Sequence, residues 1–221
     1  MDVSEAVAQR RSVRGYLDTP VDPVLLRDLA ARAARAASGG NLQPWHVDLV
    51  HGESLKRLKA NMAAKLAARE REEPGYQIYP LELDDPYRGR RFQIGEAMYG
   101  HIGIARDAKR ERLAWFARNY QFFGAPAAYF VTVARGMGPP QWSDLGMYLA
   151  TLSLLAVEAG LGTCAQECWA MYPRTVEQFL GTPGERMLFC GMAIGYEDAA
   201  EPANRLRSER APVGEWLVEH G

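Results

Sequence analysis

Leu26, Leu29, Ala30 and Ala33 recur at three- and four-residue spacing, and Ala37 continues the row. That is the period of a helix with one apolar face. Asp22 followed by Pro23 suits its start, because an aspartate accepts from free N–H groups and proline already has a helical φ. Ser38-Gly39-Gly40 predicts its end. "HVDLV" (46–50) reads as a strand, and Ser54 is expected to cap a charged amphipathic helix reaching about Glu72. The apolar "LGMYLATLSLLAV" (145–157) predicts a core helix that Ser143 opens, with Ala159 its last residue before Gly160. "AAYFVTVA", behind "GAP" (124–126), and "MLFCGMAIGY" (187–196) suit strands, the second apolar enough to be buried on both faces. Shorter helices are expected at 2–10 and at 173–180, where Pro173 stands first, and a helical region covers roughly 93–121. Residues 73–92 are punctuated by prolines, glycines and tyrosines, which predicts a long surface excursion of the kind that often forms a lid. Strands separated by helices imply a mixed α+β domain around one small sheet.

Composition narrows the class. With 221 residues and 48% hydrophobic content the chain can bury a substantial core. A formal net charge of -1, without long runs of like charge, argues against nucleic acid as the main partner. "MDVSEAVAQRR" carries acids and no apolar signal region, and 145–157 is far short of the roughly 20 residues needed to span a bilayer. Cys164, Cys168 and Cys190 cannot all pair, and their spacing fits no zinc pattern. Reduced thiols in a cytoplasmic protein without a metal are the expectation, with 1–221 forming a single domain.

Several short stretches carry candidate chemistry. In "QRRSVRGY", Arg10, Ser12 and Arg14 alternate, so an extended chain turns all three the same way. Two guanidiniums and a hydroxyl suit a phosphate monoester, whereas the alternative is a solvated basic turn. "NRLRSER" (204–210) repeats the choice with Arg205, Arg207 and Arg210, which a surface cluster with Glu209 would also explain. Two arginine clusters at opposite ends of the chain can close on one dianion. "GLGTCAQECW" (160–169) has the spacing of a dinucleotide fingerprint but follows a helix, not a strand, and that excludes the Rossmann reading. An extended segment with free backbone donors remains. No histidine stands near Cys164 or Cys168 in sequence, so no convincing nucleophile, acid or base emerges and a bound cofactor is expected to carry the chemistry.

These stretches together resemble the FMN-dependent nitroreductase family, most closely its bacterial nitroaromatic-reducing branch. "RRSVRGY", "SGGNLQPWH", "FFGAP", "WSDLGMYLATLSLLAVEAGLGTCAQE" and "GMAIGYEDAAEPANRLRSERAP" carry the match, from residue 10 to 212. The resemblance implies a nitroreductase-like α+β fold with a central mixed, mainly antiparallel sheet flanked by helices, forming an intertwined homodimer with FMN at the interface. It implies that Arg10, Ser12 and Arg14, with Arg11 close by, hold the ribityl phosphate, with Arg210 and its helper Arg207 from the C-terminal side. Ser38, Gly39 and Gly40 would reach the flavin of the partner subunit, with Asn41 and Gln43 behind them. Cys164, Ala165, Gln166 and Glu167 would run along the other side of the ring, where a backbone N–H near Glu167 or Cys168 faces N5. No side chain is expected to be catalytic.

NADPH or NADH would reduce the flavin and leave before a small aromatic acceptor enters. Residues 73–100 match nothing in the resemblance and are expected to be a variable lid near the active site. Which residue of Arg118, Asn119, Tyr120 and Gln121 serves the position before "FFGAP" stays open. A deiodinase of the same fold would need a lysine beside Glu96 and Tyr99, and none is evident. A flavin-binding or flavin-sensing protein without turnover, and a same-fold dehalogenase or enone reductase, stand as alternatives.

Overall fold

The computed structural model describes residues 1–221. Strands β1 (His46–His51), β2 (Ala127–Ala134), β3 (Gly162–Gln166) and β4 (Arg186–Gly195) form one sheet in the order β1-β2-β4-β3, every named pair antiparallel. The only parallel pairing is a single bridge from Ser12 to Thr163. Helices α1 (Val3–Gln9), α2 (Pro23–Ala33), α3 (Gly52–Ala67), α4 (Tyr87–His101), α5 (Lys109–Ala117), α6 (Pro139–Glu158) and α7 (Pro173–Leu180) accompany it.

The central strands are buried on both faces, as the apolar run of β4 predicts, and each face builds its own core layer. Tyr129, Val131 and Val133 of β2 meet Leu26, Leu29, Leu145 and Leu152 of α2 and α6. Ala128 and Phe130 point the other way, toward Leu55, Leu58 and Met62 of α3 and the buried Trp169. Tyr129 and Tyr148 each donate to an α2 carbonyl, of Leu26 at 2.7 Å and Ala30 at 3.0 Å, so their hydroxyls are satisfied within the core.

A β-bulge interrupts the β2–β4 register. Val131 pairs with Cys190 but Thr132 with Leu188, so Phe189 has no partner residue. Leu188 and Cys190, two apart, therefore enter opposite core layers.

Several boundaries differ from expectation for local reasons. Asp2 and Asp22 do cap α1 and α2, accepting from Glu5 N and Val24 N at 2.8 Å. Helix α2 ends at Ala33, and Ala34–Ala36 form a turn before the glycines, so Ala37 lies outside the helical row. Ser54 lies inside α3, which His51 precedes as the flanking residue. Ser143 lies inside α6 and bonds back to the Pro140 carbonyl at 2.8 Å. The start of α6 comes four residues earlier, where Gln141 accepts from the Gly138 N–H and Pro139 takes the first position. Helix α4 begins within the expected irregular stretch, and the expected helical region is two helices followed by a 3₁₀ segment, Arg118–Gly124.

Candidate active site

Residues beyond α1 run extended along the outer side of β3. Ser12 bridges Thr163, and the Val13 N–H donates to the Thr163 carbonyl at 2.9 Å. Gly162 permits this approach, because a Cβ there would stand 2.5 Å from Val13 Cγ2. Alternation then sorts the side chains. Arg11 shares the side of Val13, where it pairs with Glu197 and borders a small cavity with Gln9 and Val157. Arg14 points into a separate cleft of 540 Å³. Its guanidinium touches only the Ser12 carbonyl, at 3.4 Å, and has no carboxylate partner.

Asn204, 3% exposed, anchors this arginine strand. Its Oδ1 accepts from the Arg14 N–H at 2.7 Å, and its Nδ2 donates to the carbonyls of Gly15 and Asp198 at 2.8 and 2.9 Å. Gly15 is needed alongside, since a Cβ would meet Glu201 Cγ at 2.2 Å.

The edge strand β3 forms the floor of the cleft with Cys164, Ala165 and Gln166, continued by Glu167 and Cys168. Because the Thr163 carbonyl points outward to Val13, the N–H and C=O of Ala165, two residues on, also point away from β4. Gln166 donates to the Asn119 carbonyl at 2.8 Å while its buried Oε1 has no partner. Burial pushes the thiols of Cys164, Cys168 and Cys190 above their usual range, so all three are neutral and unsuited to nucleophilic attack.

The roof comes from the 74–79 excursion with Arg91, Met98 and Tyr99 of α4 and Trp115 and Phe116 at α5. The start of that excursion is pinned. The Glu72 carboxylate accepts from Arg174 N at 2.8 Å and Thr175 N at 3.2 Å. The Gly75 N–H donates to Ala170 at 2.8 Å, and Tyr76 donates to the carbonyl of the bulged Phe189.

Two expected groups lie outside this cleft. Arg207 and Arg210 border a neighbouring cavity of 580 Å³ against Arg90 and His101 of α4. Arg207 still reaches the Arg14 anchor, donating to the Asn204 carbonyl at 2.9 Å. Ser38, Gly39, Gly40, Asn41 and Gln43 form an exposed turn in which Gly39 N–H reaches the buried Asp144 at 3.3 Å and Gln43 N–H reaches Ser38 Oγ at 3.0 Å. Gly40, Asn41 and Gln43 have φ of 58°, 56° and 49°, a left-handed backbone held in place by these bonds. Arg10 ends α1 through its backbone and borders neither cleft.

A model of the nitroreductase family matches residues 7–196. The chain belongs to that family. It is 37% identical to a 4-nitrobenzoate reductase of Nocardioides sp. over 94% of this chain and 85% of the relative. Nitrobenzene nitroreductase of Ectopseudomonas oleovorans is 31% identical, with 98% and 96% covered. The crystal structure of the FMN and NADPH-dependent nitroreductase NfnB from Sphigopyxis sp. strain HMH superposes with a TM-score of 0.96 at 47% identity, over 100% of both chains. NfnB of Mycobacterium smegmatis, an FMN-dependent nitroreductase solved in complex with NADPH, gives 0.93 at 27% identity, again over 100% of both.

Within this nitroreductase, Asn119 is the member of 118–121, the stretch before "FFGAP", that borders the cleft. Arg118 is paired with Glu201 at 3.0 Å, while Tyr120 and Gln121 bond to the carbonyls of Cys168 and Lys59. Beside Glu96 and Tyr99 stands Arg112, which bonds the Glu96 carboxylate through both guanidinium nitrogens at 2.6 and 3.3 Å and lies 4.1 Å from the Tyr99 ring centroid. That contact ties α4 to α5. Asn204 escaped the sequence reading because a lone asparagine in a short 3₁₀ turn gives no periodic signal.

Proposed function

We propose that this protein is an FMN-dependent oxidoreductase that uses NADPH or NADH to reduce nitroaromatic or related electron-poor acceptors. The observation that carries the reading is the cleft along β3. An unpaired guanidinium (Arg14) faces it, the buried Gln166, whose Oε1 is orphaned, borders it, and aromatic side chains roof it. Its 540 Å³ lies within the roughly 300–1,000 Å³ of cofactor and ligand pockets. This chemistry fits FMN: an arginine without a counter-ion suits the phosphate, the outward backbone groups of β3 suit the polar edge of the ring, and apolar walls suit its plane.

When bound, FMN supplies two-electron hydride chemistry between a nicotinamide and the acceptor. The protein's part is binding and electrostatics. Arg14 and Ser12 hold the phosphate, Arg10 adds charge from the end of α1, and Arg207 closes from the C-terminal segment through Asn204, with Arg210 beyond it. Outward backbone donors of β3 and the turn at Glu167 and Cys168 favour negative charge on a ring beside them. The roof, formed by parts of residues 73–100 with Trp115 and Phe116, excludes water and leaves an opening for both substrates. No nucleophile is required, in keeping with three neutral thiols.

Ser38 to Gln43 act in the site of a second copy. Their absence from the cleft of their own chain supports a homodimer. So do the exposed apolar positions Met147 on α6, Val3 and Val7 on α1, and Trp216, Leu217 and Val218 in the tail. Sedimentation is expected to give a dimer, and a stable monomer with full flavin content would contradict a shared site. Arg14→Ala should weaken FMN about tenfold or more by removing a charge-assisted contact, and Arg210→Ala should weaken it in the same direction. Arg11→Ala, whose guanidinium is committed to Glu197, should retain it. If the Arg14 and Arg210 variants both hold stoichiometric flavin through dialysis at micromolar protein, the phosphate assignment is wrong. The activity itself is tested by following nitroarene consumption with either nicotinamide. A flavin-loaded protein inert with both would leave only a binding or sensing role.

A further inference from the structure

Three neighbouring arginines of α4 meet different fates. Arg88 pairs with Asp85 at 2.5 Å and Arg90 with Glu215 at 2.6 Å. Arg91 has no acidic partner. Its guanidinium lies over the Tyr79 ring, 3.9 Å from the centroid, and both residues border the main cleft. Around them the roof is apolar, with Ile78, Met98, Trp115 and Phe116. The other charged residues bordering the cleft, Arg14 and Glu167, belong to its floor. Stacking on a tyrosine fixes the plane of a guanidinium while leaving its N–H edge free, and that edge matches a carboxylate with two parallel hydrogen bonds.

We infer that Arg91, oriented by Tyr79, selects acceptors that carry an anionic group, namely nitroaromatic carboxylates. The inference rests on the reductase reading above and names its substrate class. A neutral nitroarene gains the apolar roof but leaves the arginine fork unused. A carboxylate on the ring engages the fork at the mouth while the nitro group points toward the floor along β3. The 2′-phosphate of NADPH offers a free arginine the same chemistry, and the two sources separate experimentally.

Arg91→Met and Arg91→Lys, loaded with FMN, are assayed with 4-nitrobenzoate and with nitrobenzene, each driven by NADPH and by NADH. Calorimetric binding of benzoate, which has no nitro group to reduce, gives a readout independent of turnover. Arg91 is exposed and outside the core, so both variants should melt like the parent. In Arg91→Met the KM for 4-nitrobenzoate and the Kd for benzoate should rise about tenfold, with nitrobenzene kinetics and the NADPH to NADH ratio unchanged. Lysine should restore part of the loss. Equal losses for both acceptors, no loss for 4-nitrobenzoate, or a loss confined to NADPH would overturn the assignment. If the parent reduces neither acceptor yet binds benzoate in an Arg91-dependent way, the anion site stands and the reductase reading falls.

Discussion

Asn204→Leu is expected to lower stability by about 3–4 kcal/mol and to loosen flavin retention at the same time. Leucine copies the branched outline of asparagine with bulkier ends, and it can neither accept from the Arg14 N–H nor donate to the Gly15 and Asp198 carbonyls. A buried group left without a partner costs about 1–3 kcal/mol. The total stays well below three times the upper figure because both carbonyls keep a second bond, Gly15 from Asp198 N at 3.0 Å and Asp198 from Glu201 N at 3.2 Å, which leaves only the Arg14 N–H without a partner. The functional loss follows from where the bonds are, since they hold the strand that carries Arg14 against β3. Urea unfolding of the flavin-free protein separates this from ligand stabilisation. Asn204→Asp keeps the acceptor for Arg14 and should fall between parent and leucine variant. A leucine variant within about 1 kcal/mol of the parent would mean that the Val13–Thr163 pairing suffices to anchor the strand.

Trp169→Ala should cost about 3–5 kcal/mol, the range for deleting a large aromatic side chain from a core. The indole is fully buried, stacked on Phe122 with centroids 4.8 Å apart and met edge-on by Phe130 at 5.1 Å and Tyr120 at 5.3 Å. It lies directly on Gly191, where a Cβ would come within 2.4 Å of Cδ1. Gly191→Ala alone is therefore expected to be destabilising by overpacking, by about 1–3 kcal/mol. Combined with Trp169→Phe, which withdraws the colliding edge, the alanine should cost less than it does alone. Strict additivity of the two changes, measured by thermal and urea unfolding, would show that the ring and the glycine are not in the contact described. The consequence for function is geometric, because Trp169 lies two residues beyond Glu167 in the turn that continues the cleft floor.

How far these features were legible before folding depends on what each residue does. Helices α2 and α6 and strands β2 and β4 bury whole faces, so their apolar spacing shows through. Helix α4 buries no residue, and the charged and aromatic mixture of its first turns, 87–92, reads as an irregular stretch until the chain is folded. The short β3 has no clean alternation, and only its extended character was readable. The alternation expected to turn Arg10, Ser12 and Arg14 the same way begins only beyond α1, whose end Arg10 forms, and there it sets Arg14 on the cleft and Arg11 on the side of Glu197. The roles of Asn204, Asn119 and Arg91 are tertiary. Each depends on a partner 12 or more residues away, and Arg91 also needs its neighbours Arg88 and Arg90 to be paired elsewhere. The resemblance to a family supplied what neither periodicity nor spacing carries: the cofactor and a role for Ser38 to Asn41.

Anaerobic titration of the purified protein tests the proposed chemistry most directly. Equimolar NADPH or NADH should bleach the visible absorption of bound FMN, and a nitroaromatic added after removal of the nicotinamide should restore it as the nitro compound is consumed. A yellow protein that neither nicotinamide bleaches, or a bleached one that no nitroaromatic recolours, would contradict a cleft built to pass electrons from one to the other.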